Sequence, residues 1–580
     1  MPERAQPLAR VLRRRPIKTQ PDSESAAQEG GALERDLGAV LDDAHVGDIQ
    51  GAFGTIAYGD TGARRSTKAK LLTLLAIVGP GLIVMVGDND AGGVATYAQA
   101  GQNFGTHLLW VLLLLIPVLY VAQEMVLRLG AVTGVGHARL ILERFGRFWG
   151  SFSVIDLFVL NALTIVTEFI GVSLATSYLG LPKVPSVILA GVVIVAAAST
   201  GSLRAFERTA LALCIGSLVV IPLYVIVHPP AGEVARNFTL VNLPGGPSQL
   251  SNVMLLIIAV VGTTVAPWQL YFQQSYVIDK RITTRFVNYE RVDLVLGIVI
   301  VIIGAGALMG VSAAAFGHTP LAGHFVDARH VADGLDRYVS RTAGVLFAVV
   351  LLDASLIGAS AIGLSTAYAT ADVLGLKHSL HRSIRKAKGF YAVFGGLMFG
   401  SGALVLSPGV PLGTVTEGVQ TLAGVLLPSA AVFLLLLCND KEVLGPWANS
   451  TKTNIIASTI IGVLVLLSLI LTVAVLFPNL SASAIQLIIL VGVVLGLVTG
   501  AYLLVQSHLR RTANADSSDT ANAKSDARTS RRETWRMPPL TMLERPAMSR
   551  QRKIGMIALR GYLLFSFVLV IVKIVQVAIK

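Results

Sequence analysis

Long apolar runs separated by short polar stretches dominate the residue pattern of this chain. Each run has roughly the 20 residues that a helix needs to cross the hydrocarbon core of a bilayer. The runs are continuous, whereas a membrane β-barrel shows short alternating segments. The pattern therefore predicts an all-α polytopic membrane protein with thirteen spans. These cover residues 71–103, 106–129, 152–179, 184–200, 209–228, 250–278, 292–316, 342–373, 389–407, 415–438, 453–477, 483–506 and 556–578.

The polar stretches divide the chain into four parts. Residues 1–70 are polar and basic, which predicts a disordered cytoplasmic tail without a signal peptide. Residues 71–510 form the membrane core of about twelve helices. Residues 511–555 are rich in Ser, Ala, Arg and Asp, typical of a flexible cytoplasmic segment. Residues 556–580 predict one additional membrane helix.

Composition agrees with a membrane location, and charge placement predicts an orientation. Only 14% of the 580 residues are charged, against about 25% in soluble domains. The net charge of +13 is unevenly distributed. The N-terminal tail and the loops after even-numbered spans carry 38 Lys and Arg residues, and the other loops carry 5. This asymmetry predicts a multi-pass protein of the cell membrane with a cytoplasmic N-terminus. The partner is then the lipid bilayer, and no nucleic acid is expected.

The first span is interrupted near its middle by polar and flexible residues. Residues 87–93 read Gly-Asp-Asn-Asp-Ala-Gly-Gly, which places Asp88 and Asp90 at membrane depth. A charged residue there costs roughly 2.5–3.5 kcal/mol on insertion scales and marks a functional site by default. The glycines permit an unwound backbone, whose carbonyls must find water or an ion.

The sixth span is interrupted at the corresponding place. Residues 262–269 read Gly-Thr-Thr-Val-Ala-Pro-Trp-Gln, and Pro267 removes a backbone donor. Spans one and six are the first helices of two five-span units. Paired broken helices in two halves indicate a transporter binding site. The half-helix before each break directs its negative end at the gap, which favours a cation.

Several stretches resemble the Nramp divalent-metal transporter family, which has Asp-Pro-Gly-Asn at its first break. Residues 79–81 and 90–93 are similar to the family's first helix, and residues 262–275 to its sixth. Residues 128–134 resemble the end of its second helix, and residues 439–449 the loop after its tenth. The resemblance covers roughly residues 70–510 of the chain.

The resemblance implies a LeuT-like (APC) inverted repeat of 5+5 helices with broken helices 1 and 6, plus additional C-terminal helices. It also implies transport of a divalent cation. The family holds its metal through an Asp and an Asn of the first motif, a Met of the second, and a backbone carbonyl. The Asp is present as Asp90 and the carbonyl position is Thr263, whereas the Asn and Met positions are Gly93 and Ala266.

The lost thioether changes the expected ion. Sulfur ligands favour transition metals, whereas oxygen ligands suit hard ions. Mg²⁺ keeps several waters and takes one or two carboxylates. A wider, all-oxygen site formed by Asp90 with Asp88 or Asn89 suits partly hydrated Mg²⁺. Gln269 either reaches the hydrated ion or forms a hydrogen bond between helices. The pattern resembles the Nramp-related magnesium transporter branch, with Mn²⁺ as the next ion.

Residues for proton movement and gating are only partly present. Glu168 matches a family acid associated with protons, but its acidic companion position is Ile165 and the family's sixth-helix His is Trp268. A proton relay needs a chain of titratable groups. Transport is therefore expected to be weakly proton-coupled or uncoupled. Gln420 in span ten matches a polar family position near the moving site.

These observations predict a secondary transporter or facilitator of divalent metal ions, most of all Mg²⁺, that works by alternating access. One alternative is a proton-coupled Mn²⁺/Fe²⁺ importer, and another is a transporter-like metal sensor. The chain lacks GxxxxGK[ST], HExxH and GxSxG, so no enzyme activity is expected. No cofactor is expected besides the transported ion, and no oligomer is implied.

Overall fold

Helices occupy each of the first twelve predicted spans. The computed structural model describes residues 43–244, 246–409, 412–476 and 482–513, with short stretches between residues 532 and 568. The predicted thirteenth span, 556–578, lies largely outside the described residues. Among the described residues, nine helices are each long and apolar enough to cross a membrane, or ten if one bent pair counts as a span.

The helices of the first half precede residue 240. They are α1 (Thr67–Ile77), α2 (Pro80–Val86), α3 (Ala91–Phe104), α4 (Leu109–Thr133), α5 (His137–Phe145), α6 (Arg147–Tyr178), α7 (Lys183–Ala198), α8 (Leu203–Gly216), α9 (Val220–Val227) and α10 (Ala231–Thr239). Those of the second half are α11 (Gly246–Thr264), α12 (Pro267–Asp279), α13 (Val287–Phe316), α14 (Ala328–Tyr338), α15 (Arg341–Leu374), α16 (Lys388–Leu406), α17 (Leu412–Cys438), α18 (Lys441–Leu444), α19 (Thr451–Leu476) and α20 (Ala482–Ala513).

Two five-span units follow from this order, as predicted. The first unit comprises α1–α3, α4, α6, α7 and α8–α9, and the second comprises α11–α12, α13, α15, α16 and α17. Helices α19 and α20 are the additional C-terminal spans. The first span has two interruptions: α1 and α2 meet at 54°, and α2 and α3 are separated by residues 87–90.

Side-chain caps fix where several helices begin. Ser66 accepts a hydrogen bond from the Ala69 amide at the start of α1, and Ser340 does the same for Ala343 at the start of α15. Each cap satisfies one amide that a helix N-terminus leaves without an intrahelical partner. The two caps therefore mark where α1 and α15 begin.

Helix α13 supports the interrupted first span from the second unit. Both α2 and α3 pack along it, and α15 packs along α6. The approach of α3 to α13 depends on Gly101, because a Cβ there would overlap the Met309 carbonyl oxygen. Small residues at such crossings let membrane helices approach closely. The site between the units is therefore built on tightly packed helices.

The predicted disorder of residues 1–70 is wrong for residues 43–66. A 3-10 turn at Asp43–His45 leads into a hairpin of β1 (Ile49–Gly51) and β2 (Gly54–Ile56), paired antiparallel. Ile49, Ala52 and Ile56 are buried in the core. Strands of three residues are too short for their alternation to show in a sequence. Residues 1–42 lie outside the described part of the chain.

The predicted flexible segment 511–555 is also partly ordered. Helix α20 continues to Ala513. The Trp447 indole donates to the Arg532 carbonyl oxygen at 3.0 Å, and the Arg532 guanidinium lies 5.2 Å from the centre of the Trp447 ring. The polar composition of the segment predicted flexibility. Composition alone does not reveal individual contacts such as this hydrogen bond and this cation–π pair.

The loop after α15 yields a prediction about pH and stability. Burial disfavours charge on His378, but the Asp372 carboxylate and the Leu376 carbonyl outweigh it and raise the pKa of His378 from 6.5 to about 9. This stabilisation is complete below about pH 6.5 and is lost as pH rises through 9. We expect the thermal stability of detergent-solubilised protein to fall by about 2 kcal/mol over this range.

His378→Asn is expected to remove most of that pH dependence, because asparagine does not titrate there. Melting temperatures at pH 6, 7.5 and 9 measure both proteins. His330→Asn is the matched control, since His330 is largely exposed. A wild-type melting temperature that is flat across the range would contradict the assignment.

Candidate functional site

The first break is organised by Asp90, which caps α3. Its Oδ1 accepts a hydrogen bond from the Gly93 amide at 2.7 Å. Asp88 lies two residues before the cap and is fully buried, and its Oδ2 accepts no hydrogen bond. Both carboxyls therefore lie in the gap between α2 and α3, away from water.

The second break faces the first from the other unit. Ala266 is extended between α11 and α12, and Pro267 begins α12. Because proline has no N–H, the Thr263 carbonyl lacks its usual helical donor. The Thr263 hydroxyl is also buried without a hydrogen-bond partner. The break thus presents two oxygen acceptors that nothing in the described chain uses fully.

Gly93 and Ala266, where the resemblance to the Nramp family implies that an Asn and a Met ligand are absent, both lie at the breaks. A Cβ on Gly93 would stand 3.1 Å from the Asp88 carbonyl oxygen and 3.4 Å from the Thr263 hydroxyl. Ala266 is 7% exposed. The space left by the absent amide and thioether is therefore bordered by oxygen atoms. Tyr97 on α3 closes this side through a 2.8 Å hydrogen bond to the Thr264 hydroxyl.

A chain of polar side chains links the two breaks to α4. The Gln269 amide nitrogen donates to Asp88 Oδ1. The Gln269 carbonyl oxygen accepts from Gln123 Nε2 at 3.0 Å. All three residues are fully buried. Asp88 is consequently held toward the second unit, and its remaining oxygen is free for another donor or a cation.

Glu168 on α6 is fixed to the first break. Its Oε2 accepts a hydrogen bond from the Ala91 amide at 3.0 Å, and Ala91 is the first residue of α3. Glu168 and Asp90 therefore satisfy two of the amides that begin this helix. A Cβ on Gly358 of α15 would approach both Glu168 Oε2 and Asp90 Cβ within 2.8 Å, which places the two side chains side by side.

The remaining predicted residues divide into those near the gap and those directed away from it. Asn89 is directed away, because its amide donates to the Val301 carbonyl of α13 at 3.2 Å. Gln420 on α17 lies against Gly92, and its amide nitrogen has no partner. Trp268 is fully buried, and its indole nitrogen is likewise unpaired. Ile165 is buried and apolar, so it supplies no acid beside Glu168.

A small open pocket leads toward this region from one face of the molecule. It is lined by parts of α3, α6, α15 and α17 and by the loop before α14, including Thr96, Thr167, Asp327 and Thr416. Its inner end reaches Ala91, which is bonded to Glu168. The N-terminal hairpin lies at the opposite end of the first span. The site is thus approached from the face opposite the hairpin.

The arrangement can hold a cation that brings its own water. No three His, Cys, Asp or Glu side chains converge on a metal position anywhere in the described chain. A bound ion would therefore rely on two carboxylates, backbone and hydroxyl oxygens, and water, a set that suits a hard cation. The ion pairs found among the described residues lie elsewhere, so Asp88, Asp90 and Glu168 have no basic partner there.

Sequence reasoning missed Gln123 and Tyr97. Gln123 is a lone amide within the apolar second span, and Tyr97 lies one α3 turn beyond Gly93. A buried amide within a membrane span is itself a signal, because its hydrogen bonds need partners. The partner residue could not be identified without the packing of α4 against α12.

Comparison with known proteins identifies a family and several similar transporters. The family model described as natural resistance-associated macrophage protein-like matches residues 81–474. The divalent metal cation transporter MntH of Burkholderia ambifaria is 27% identical over 421 residues, covering 70% of this chain and 90% of that protein. MntH of Ralstonia nicotianae is 28% identical, covering 67% and 89%.

Solved structures agree on the fold. The manganese transporter of Eremococcus coleocola superposes with a TM-score of 0.56 at 18% identity. The match covers 78% of this chain and 96% of that one. At this identity the likeness establishes the fold only. It confirms the predicted LeuT-like inverted repeat with broken helices 1 and 6.

Replacing Glu168 separates its hydrogen bond from its charge. Glu168→Gln keeps an oxygen that can accept from the Ala91 amide, so we expect stability within about 1 kcal/mol of wild type. Glu168→Leu leaves that amide unsatisfied in an apolar setting, at a cost of roughly 1–3 kcal/mol. Thermal melts in detergent measure both variants. Equal melting temperatures for the two would show that the Ala91 bond contributes nothing.

Proposed function

This chain belongs to the natural resistance-associated macrophage protein (Nramp) family, and from that premise we propose that it carries divalent metal ions across the cell membrane. It does so as a secondary transporter, by alternating access of a site between its two repeats. The observation that carries the proposal is the pair of buried carboxyls at the first break. Asp88 and Asp90 have no basic partner there, and Asp88 keeps one oxygen without a hydrogen bond. A divalent cation supplies the missing charge.

Asp90 is the central ligand in this proposal, with the Thr263 carbonyl opposite it. Asp88 binds waters of the ion, because Gln269 already occupies its Oδ1 and leaves Oδ2 available. Gly93 and Ala266 give room for those waters. Gln420 approaches Asp90 from α17 as the repeats move. Asn89 has no part, since it is bonded to α13.

We propose Mg²⁺ as the preferred ion. Mg²⁺ loses its water reluctantly and is bound through one or two carboxylates. A site with two acids, free oxygen acceptors and no sulfur fits that behaviour better than it fits a dehydrated transition metal. The inward driving force is the ion gradient with the membrane potential, worth about 2.3 kcal/mol per charge per 100 mV. The N-terminus is cytoplasmic in this proposal, as the loop charges predict.

Mn²⁺ is the second candidate, and a specific observation favours it. The similar bacterial proteins are named divalent metal cation transporters, and the superposed structure is a manganese transporter. An importer of that kind, driven by protons, would need titratable groups along its path. Here Ile165 and Trp268 interrupt such a path, which supports weak or absent proton coupling.

Metal flux in proteoliposomes tests the proposal. Purified protein is reconstituted with a metal-sensitive dye or a pH dye inside, and Mg²⁺, Mn²⁺ or Ca²⁺ is added outside. We expect Mg²⁺ entry without acidification, and its loss in Asp90→Ala. Asp88→Asn should reduce Mg²⁺ entry about tenfold while Mn²⁺ entry falls less, because only a hydrated ion needs Asp88.

The outcomes separate the two candidates. Mn²⁺ entry with acidification and no Mg²⁺ flux would make the chain a proton-coupled manganese importer. Flux that is unchanged in Asp90→Ala would contradict the site itself. Arg236→Gln serves as the control variant, because Arg236 is exposed on α10 and distant from the breaks.

Restoring the family's missing ligands tests the selectivity argument. In the double variant Gly93→Asn with Ala266→Met, a thioether and an amide oxygen replace coordinated water. We expect preference to shift toward Mn²⁺ over Mg²⁺ by at least about tenfold, since sulfur ligands favour transition metals. Competition of each metal against a common tracer measures the ratio. An unchanged ratio in a folded, active variant would refute the assignment of these two positions.

A further inference from the structure

The N-terminal hairpin binds several elements that alternating access must separate. Residues 43–58, named here the inner latch, lie outside the stretch matched by the family model. The latch packs against α1, and a Cβ on its Gly51 would overlap the Ala76 carbonyl oxygen. It also contacts α8, the end of α12 and the loop after α15.

Arginines from two of these elements hold the latch by its backbone. On α8, Arg204 donates to the Gly51 carbonyl at 3.1 Å, and Arg208 to the Ala52 carbonyl at 3.1 Å. After α12, Arg281 donates to the Ala44 carbonyl at 2.7 Å and to the Asp48 carbonyl at 3.0 Å. Hydrogen bonds from charged donors are stronger than neutral ones. The contacts therefore form a specific dock for this hairpin.

The latch also completes a buried ion pair. The Ala52 amide donates to Glu207 Oε2 at 2.7 Å, and Glu207 Oε1 lies 2.5 Å from Lys280 Nζ. The same ammonium donates to the Ile77 and Val78 carbonyls at the end of α1, at 2.7 and 2.9 Å. Glu207 and Lys280 are fully buried. Lys280 thus ties α1 of the first unit to α12 of the second, and the latch shields this tie from water.

We propose that the inner latch is a gate that keeps the binding site closed on the hairpin side until it leaves Glu207. The inference rests on the proposed alternating access, in which the inner ends of α1 and α12 must part. Parting them while they are dry would strand Glu207 or Lys280 as an unpaired buried charge, which is strongly unfavourable. Departure of the latch admits water, which lowers that cost. Its undocking therefore precedes opening.

Cysteine accessibility tests the gate directly. Ser365 is fully buried on α15, where its hydroxyl donates to the Trp268 carbonyl, so Ser365→Cys is a conservative reporter between the breaks and the latch. Native Cys214 and Cys438 are replaced by alanine. A hydrophilic maleimide is added to the solubilised full chain, to a deletion of residues 1–42, and to a deletion of residues 1–58. We expect at least about tenfold faster labelling only in the larger deletion.

A double variant and a control variant, both of the full chain, keep the test informative if the larger deletion does not fold. Arg204→Gln with Arg208→Gln removes the α8 donors to the latch and should also speed labelling, whereas Arg236→Gln should not. Hydrogen exchange of α1 is measured in parallel, with α14 as the internal reference. Faster exchange in α1 with unchanged labelling would mean that the hairpin only stabilises α1, and would overturn the gate.

Both readouts are independent of the transported ion. Labelling and exchange need no metal, so a negative flux assay would refute the proposed function without deciding about the gate. Equal labelling in all folded variants would refute the gate and leave the metal site untouched.

Discussion

Backbone amides and carbonyls inside a membrane need partners, and the two breaks meet this requirement unequally. At the first break the free amides are satisfied, since Asp90 accepts from Gly93 and Glu168 accepts from Ala91. The acceptors are not, because Asp88 Oδ2 and the Thr263 hydroxyl have no hydrogen bond. The Gln420 and Trp268 nitrogens nearby are also unpaired, but they are neutral, whereas the buried carboxyls of Asp88 and Asp90 have no basic partner among the described residues and attract a cation. The architecture around the first break, with α13 and α15 packed against the first span, preserves that imbalance.

At the interruption between α1 and α2, by contrast, the free backbone groups named here all have hydrogen-bond partners. There the carbonyls of Ile77 and Val78 accept from Lys280. The amides of Gly79 and Gly81 donate to Asp293 Oδ2, at 3.1 and 2.7 Å. Donors and acceptors are both satisfied by side chains from the second unit. This interruption is therefore a joint between the units, whereas the one at Asp90 is the proposed binding site. The same rule of backbone chemistry produces both.

Much of the fold could be predicted because its signals are strong and local. Twenty-residue apolar runs and the paired breaks at Asp90 and Pro267 are visible in the local sequence, without knowledge of long-range contacts. The hairpin at residues 43–58 was not, since its strands are three residues long and its partners are arginines more than 150 residues away. For the candidate site, the sequence could place Asp88 and Asp90 at the first break and Thr263 at the second. The direction of Asn89 toward α13, and the bond from Gln123 to Gln269, depend on helix rotation, which spacing alone does not determine.

The absence of the family's Met and Asn ligands has to be interpreted together with the presence of Asp88. Losing two ligands would simply weaken a site for a dehydrated metal. Here the loss coincides with a second buried acid, oriented by Gln269 and carrying a free oxygen. An acid that lies two residues before the α3 cap is suited to accept a hydrogen bond from water bound to an ion rather than to bind the ion itself. A site with few direct metal ligands needs side chains that contact the waters of the ion, because an ion that keeps its water is recognised mainly through that water. Under the proposed function, selectivity depends on recognition of a hydrated ion, and the apolar Ile165 and the indole of Trp268 fit an ion drawn inward by its own charge.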